Sequence, residues 1–142
     1  MKKEEIQQRF MELQNMEEQI KLIQQHILTM NRQIIELNML ENSLDEIKGT
    51  EVNTDILIPL GSGIFTKAKL LDNKEVVMGV GANVSVKKTI LEAKKVIKNQ
   101  VEEMQKIMGQ AEEQLQQIAV EAQHIQKDLT SEIEKNEKEN DN

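Results

Sequence analysis

Two long series of apolar residues, one at each end of the chain, match when one of them is read backwards. The first runs from Ile6 to Ile47 and the second from Ile133 back to Ile90, both in steps of three and four residues. Ten of the twelve successive steps agree, and the paired residue numbers sum to 137, 138 or 139 throughout. This spacing is typical of an antiparallel coiled coil in which two helices of one chain lie against each other.

The predicted helices cover residues 5–48 and 89–134, each on the order of 70 Å long at about 1.5 Å per residue. Lys48 and Gly49 are typical of a helix end, because a cation and a left-handed residue both suit the last turn. Thr89 and Glu92 have the spacing of a capping box at the start of the second helix. Residues 135–142 are acidic, rich in asparagine and without apolar period, so we expect a disordered tail.

Between the helices, residues 55–87 change to the two-residue period of β-strands. Gly61 and Gly63 mark one tight turn and Gly79 and Gly81 another, which predicts two β-hairpins. Neither glycine pair is followed by a helix, so a phosphate-binding loop is not indicated. The predicted assembly residues of this block, those expected to mediate oligomerisation, are Ile56, Ile58, Leu60, Ile64, Ala68, Leu70, Val76, Met78, Val80, Val84 and Val86.

The predicted fold class is therefore α+β: a long antiparallel coiled-coil hairpin with two β-hairpins between its helices. Two hairpins make too little sheet to be stable alone, because a two-stranded sheet is marginal in water and leaves open edges. We expect the strands to find partners in other chains. The chain is accordingly predicted to be an obligate oligomer.

Composition excludes several classes of function. The net charge is −7 and only two residues are aromatic, Phe10 and Phe65, which argues against nucleic acid binding. The chain has no cysteine and its two histidines lie far apart in the predicted register, so neither a metal site, a cofactor nor an enzyme is expected. No signal peptide or membrane span is recognisable, and a cytoplasmic location is the expectation.

Two segments carry a resemblance to a known family. Residues 58–68 (IPLGSGIFTKA) and 76–84 (VVMGVGANV), followed by Lys87 and Lys88, resemble the hairpin region of prefoldin subunits of the α class. The order of helix, two hairpins and helix is also that of this class, so the resemblance covers essentially the whole chain. Having two hairpins, where the β class has one, is the distinguishing feature.

The resemblance implies a heterohexamer of two α-type and four β-type subunits, built on β-barrels and carrying six coiled-coil tentacles. It further implies an ATP-independent chaperone that binds unfolded client proteins at the tentacle tips and delivers them to a group II chaperonin. Homologues with such a two-subunit assembly are expected in archaea.

The tips themselves are rich in apolar side chains, and methionine suits a surface that accepts clients of many shapes. Phe10 and Leu129 are the strongest individual candidates. Alternatively, these residues are only the last layers of a closed coiled coil, and the chain is a structural tether that binds no client. The predicted client-binding residues are Ile6, Phe10, Met11, Leu13, Met16, Ile125, Leu129 and Ile133.

Overall fold

The computed structural model describes residues 2–141 and contains two long helices separated by four strands. This order confirms the predicted α+β class. The elements are α1 (Lys3–Lys48), β1 (Asp55–Gly61), β2 (Ile64–Lys69), β3 (Glu75–Gly81), β4 (Val84–Thr89) and α2 (Ile90–Asn140). Within the described residues, neither helix has a stretch long and apolar enough to cross a membrane.

The inner end of α2 is capped as the sequence predicts, whereas Gly49, which follows α1, does not adopt the left-handed conformation expected of it. At the end of α1, the N–H of Gly49 donates to the Asp45 carbonyl at 3.1 Å. At the start of α2, the N–H of Glu92 donates to Thr89 Oγ1 at 3.1 Å, and the N–H of Thr89 donates to Glu92 Oε2 at 3.2 Å. This reciprocal pair is a capping box, which satisfies two backbone donors and fixes where the strand becomes a helix.

The outer end of α2 corrects the expectation of a disordered tail. Residues 135–140 continue the helix, and the N–H of Asp141 donates to the Glu137 carbonyl at 3.1 Å. Residue 142 lies outside the described residues. The segment is rich in glutamate and lysine, which favour helix. Extending an existing helix also needs no new nucleus, so apolar packing is not required to continue it.

The four strands form two separate antiparallel hairpins of the same construction. Hairpin 1 pairs β1 with β2, and hairpin 2 pairs β3 with β4. Ile58 lies opposite Thr66 in the first, and Met78 lies opposite Val86 in the second. A β-bulge precedes each turn, between Pro59 and Gly61 in hairpin 1 and between Gly79 and Gly81 in hairpin 2.

Both turns have two central residues with positive φ, the geometry that matches the twist of a two-residue hairpin loop. These residues are Ser62 (52°) and Gly63 (78°) in hairpin 1, and Ala82 (50°) and Asn83 (59°) in hairpin 2. Ala82 is therefore a turn residue, although it alternates with Val84 and Val86 and this two-residue period predicts that all three belong to the fourth strand.

The chain divides into two compact units. The hairpin unit, Gln33–Met104, contains both hairpins and the helical segments next to them. Its core consists of Leu44 from α1 and Ile90, Ala93 and Ile97 from α2, with Val76 and Met78 of hairpin 2 packed against them. Hairpin 2 therefore lies on the helices of its own chain.

The helical unit consists of the chain up to Arg32 and from Gln105 onward. Its most buried apolar side chains are Met30, Ala122, Ile125 and Leu129. Half-buried residues recur at every third or fourth position on both segments, as in Ile20, Ile23 and Ile27 of α1. This burial is the single apolar stripe expected of helices packed along a narrow seam.

Candidate interaction surfaces

The predicted assembly residues divide into three groups in the structure. The helices cover part of hairpin 2, since Val76 and Met78 pack against their core. Ile56, Ala68, Leu70 and Val86 are half-buried. The remaining residues are exposed and contact no described core: Ile58, Leu60, Ile64, Val80 and Val84.

The opposite faces of the hairpins also carry exposed apolar side chains, which the alternation pattern does not assign to an interface. Leu57 and Phe65 in hairpin 1 and Val77 in hairpin 2 are more than half exposed. A signal for them is present in the sequence, because Ile56, Leu57 and Ile58 form a continuous apolar run, which is typical of a strand buried on both faces. Hairpin 1 therefore presents apolar surface on both sides.

Hairpin 1 is anchored by its connecting loops. The N–H of Asn53 donates to the Leu70 carbonyl at 2.7 Å, and the N–H of Leu70 donates to the Thr54 carbonyl at 3.1 Å. Asn73 Nδ2 reaches across from the loop between the hairpins and donates to the Thr50 carbonyl at 3.0 Å. These bonds close the base of hairpin 1 and leave its faces open.

Asp72 organises the connection between the two hairpins. Its Oδ1 accepts hydrogen bonds from the N–H of Lys74 at 2.7 Å and the N–H of Glu75 at 3.3 Å. These bonds, that of Lys74 first, hold the pKa of the Asp72 carboxyl below its ordinary value, because both favour the charged form. The turn into β3 is thus stabilised by an ionised carboxylate.

The predicted client-binding residues of α1 lie in the helical unit and differ in exposure. Ile6, Leu13 and Met16 are half-buried. Met11 is 65% exposed and Phe10 48% exposed. These two large side chains are available to another molecule without any change in the helices.

The predicted client-binding residues of α2 are mostly inaccessible. Ile125 and Leu129 are only 6% and 3% exposed, whereas Ile133 is partly exposed. Ile125 lies fifteen residues before the end of α2 at Asn140 and so is not part of a frayed terminus. Leu129, a strong candidate in the sequence, requires separation of the helices before it can contact a client.

The described residues contain no cluster of histidine, cysteine or acidic side chains arranged to hold a metal ion. Their surface depressions are shallow grooves along the helices and beside the hairpins, as between Glu113 and Val120. Two long helices separated by two β-hairpins with exposed apolar side chains define a class of protein, the coiled-coil subunit with β-hairpins between its helices. This class includes the prefoldin subunits.

Comparison with known proteins identifies the family. The prefoldin subunit family model matches residues 16–135, so the chain belongs to the prefoldin family. It is 32% identical over 133 residues to prefoldin subunit alpha of Methanococcus aeolicus, covering 92% of this chain and 89% of that protein. It is 28% identical to prefoldin subunit alpha 1 of Methanocaldococcus jannaschii, covering 93% of this chain and 90% of that protein.

A solved structure has the same fold. The cryo-EM structure of filamentous PFD from Methanocaldococcus jannaschii aligns with a TM-score of 0.74 at 20% identity, covering 82% of this chain and 97% of that chain. Family membership supports a chaperone-type role and an oligomeric state. The exposed apolar side chains of the hairpin unit and of the helical unit are the candidate surfaces for that role.

Proposed function

We propose that this chain is a subunit of an ATP-independent chaperone that binds unfolded proteins at its free helix ends and delivers them to a group II chaperonin. The observation that carries the proposal is the exposure of Phe10 and Met11 in the helical unit, together with partly exposed Ile133. About half of the Phe10 side chain and most of the Met11 side chain are left uncovered by the described residues. These side chains suit transient contact with the apolar segments of an unfolded chain.

The energetics favour weak, repeated contacts. Burying about 200 Å² of apolar surface against a client gains roughly 5 kcal/mol. Association itself costs an estimated 4 to 15 kcal/mol, so one pair of helix ends holds a client poorly. Several pairs on one assembly gain roughly 10² to 10⁴ in avidity. A client is thus held by many arms and released readily from each.

Assembly is the second part of the proposal. Hairpin 1 has apolar side chains exposed on both faces, including Leu57, Ile58 and Phe65. We propose that β-type prefoldin subunits cover these faces, in the complex of two α-type and four β-type subunits that the family resemblance implies. The shared strands form the intersubunit β-barrel, and the arms extend from it.

The test is suppression of aggregation of a chemically denatured client by the assembled complex. The variant Phe10→Ser, Met11→Ser, Ile133→Ser removes the exposed helix-end side chains. A matched control, Leu22→Ser, Leu28→Ser, removes side chains of the helical unit that are each 65% exposed but lie away from the helix ends. We expect the first variant to lose most of the suppression and the control to retain it, without ATP in either case. Equal activity of the two variants contradicts binding at the helix ends.

The alternative function is a structural tether that spaces two partners and binds no client. Burial of Ile125 and Leu129 favours it, because these layers close the coiled coil where a client site was predicted. Under this alternative the assembled wild-type complex suppresses no aggregation at any concentration. Such a result excludes the proposed chaperone activity whatever the variants show.

A further inference from the structure

The first turns of α2 present an exposed leucine among lysines. Leu91 is 73% exposed, although it lies between Ile90, which is in the core, and Glu92, which caps the helix. Two shallow grooves meet at Leu91. One is lined by Lys48, Asn73, Lys74, Thr89 and Ile90, and the other by Glu41, Lys94, Lys95 and Lys98.

The spacing places leucine and ammonium groups on one helix face. Leu91, Lys95 and Lys98 are four and then three residues apart, which aligns them along α2. The lysines follow Leu91 at about 6 and 10 Å along the helix axis, at roughly 1.5 Å per residue. We define the basic surface as Leu91, Lys94, Lys95 and Lys98 of α2 together with Lys48 and Lys74, which line the other groove.

Most of the charge on the basic surface is uncompensated. Lys94 is paired, because its Nζ lies 2.7 Å from Asp45 Oδ1. Among the described residues, Lys48, Lys95 and Lys98 form no ion pair, whereas the charge of Lys74 interacts with the nearby Asp72 carboxylate. The only carboxylate lining either groove is that of Glu41. The basic surface therefore has a local positive excess.

This excess contrasts with the rest of α2. Residues 90–98 of α2 contain three lysines and one glutamate, whereas residues 102–140 contain four lysines and ten acidic residues. The chain as a whole carries −7. A concentrated positive region on an acidic protein attracts negative ligands while the remaining surface repels them.

We propose that the basic surface binds an acidic linear segment of a partner protein, with an apolar side chain of that segment seated on Leu91. Charge complementarity selects an acidic ligand, and the leucine selects one with an apolar residue between its carboxylates. A nucleic acid fits less well, because neither groove has an aromatic side chain on which a base can stack. This binding goes beyond both the proposed client contacts and the proposed subunit assembly, since the basic surface belongs to neither the helix ends nor the hairpin faces.

The test is fluorescence anisotropy of the assembled complex with a labelled polyglutamate peptide that carries one central leucine. The charge variant is Lys95→Glu, Lys98→Glu, and its matched control is Lys106→Glu, Lys127→Glu, two exposed lysines elsewhere on α2. We expect the charge variant to weaken binding by at least about tenfold and the control by less than about threefold. Equal weakening by both variants overturns the proposal, because binding then follows net charge alone.

Two further comparisons test the leucine. Replacing the peptide leucine by serine, or Leu91 by serine, is expected to weaken binding by about three- to tenfold, since each removes apolar contact. If neither replacement changes the affinity, the apolar side chain of the peptide does not bind at Leu91 and that part of the proposal is wrong. Tighter binding of a single-stranded oligonucleotide than of the peptide overturns the choice of an acidic protein segment. Native mass spectrometry of each variant establishes that its assembly is intact, which separates this test from that of the proposed function.

Discussion

The two hairpins are alike in construction and unlike in surroundings. A shift of twenty residues aligns Ile58 with Met78 and Gly61 with Gly81, and the bulges and positive-φ turn residues coincide. Yet Met78 packs on the helical core, whereas Ile58 is 43% exposed. The local sequence therefore determines the shape of each hairpin but not whether the chain covers it.

The two hairpins differ in burial because they are connected differently to the helices. β4 ends at Thr89 and α2 begins at Ile90, so hairpin 2 leads without a loop into a helix whose first residue belongs to the core. The N–H of Ile90 also donates to the Lys74 carbonyl at 3.0 Å, which ties both ends of hairpin 2 together. Hairpin 1 has a loop on either side. Hairpin 1 leaves both of its faces to another chain, whereas hairpin 2 leaves only the part that carries Val77, Val80 and Val84.

The largest expected effect comes from the core that supports hairpin 2. Ile97 is 3% exposed and belongs to that core. Ile97→Ala should lower the free energy of unfolding by about 2 to 5 kcal/mol, because it removes buried methyl groups and leaves a cavity. Urea unfolding followed by circular dichroism measures the change. Hydrogen exchange should accelerate in β3 and β4 more than in β1 and β2, and the reverse order contradicts the difference between the hairpins.

Substitution of the glycine at each β-bulge tests whether the turns of the two hairpins are equivalent. Gly61 has φ +117° and Gly81 +103°, values that side-chain-bearing residues rarely adopt, although a Cβ at either position meets nothing within 4 Å. Gly61→Ala and Gly81→Ala should each lower stability by about 1 to 3 kcal/mol through backbone strain alone. The same urea measurement on both variants checks this. A cost at one glycine only means that the two turns are not equivalent.

The aligned pair Met78 and Ile58 tests the contrast directly. Met78→Ala should lower the stability of the isolated chain by about 1 to 2 kcal/mol, since the side chain is half-buried against the core. Ile58→Ala should change it by less than about 0.5 kcal/mol, as at other exposed positions. In native mass spectrometry of the complex, the order should reverse, with Ile58→Ala weakening assembly more. Equal loss of stability from both substitutions shows that the chain itself covers hairpin 1.

The smallest effect concerns the joint between the hairpins. Because the pKa of Asp72 is lowered from its ordinary value near 3.8, the stabilisation is present above that value and is lost as the pH falls through the lowered pKa. Asp72→Asn keeps an acceptor oxygen but removes the charge, so this part of the acid dependence should disappear. Unfolding curves recorded at successively lower pH measure the difference. Parallel wild-type and variant profiles contradict the role of the carboxylate.

Much of this architecture is readable from the sequence because its signals are local. The matched apolar steps, the capping box at Thr89 and Glu92 and the paired glycines each specify an element without knowledge of distant contacts. In the hairpin unit, the ion pair of Asp45 with Lys94 joins the residues that directly follow Leu44 and Ala93, which the predicted register pairs. The turn position of Ala82 could not be predicted in this way, because alanine seldom adopts a positive φ. Only the geometry of the turn requires a positive φ at this residue.

The sequence does not show which apolar side chains are covered and which are exposed to solvent. Alternation in a strand shows which residues share a face, but not whether anything lies on that face, so Val76 and Val84 look alike in the sequence and differ in the structure. The sequence likewise leaves open whether Ile125 and Leu129 are accessible at a tip or form layers of a closed coiled coil. The pattern of α2 loses its apolar period after Ile133, whereas the helix continues to Asn140 and keeps these side chains away from its end.

Hydrogen–deuterium exchange of the chain, alone and assembled with its partner subunits, is the most direct test of the central claim that hairpin 1 is completed by another chain. We predict that the amides of β1 and β2 gain much more protection on assembly than those of β3 and β4, which the core already supports. An equal gain in both hairpins, or protection of β1 and β2 already in the isolated chain, contradicts the claim.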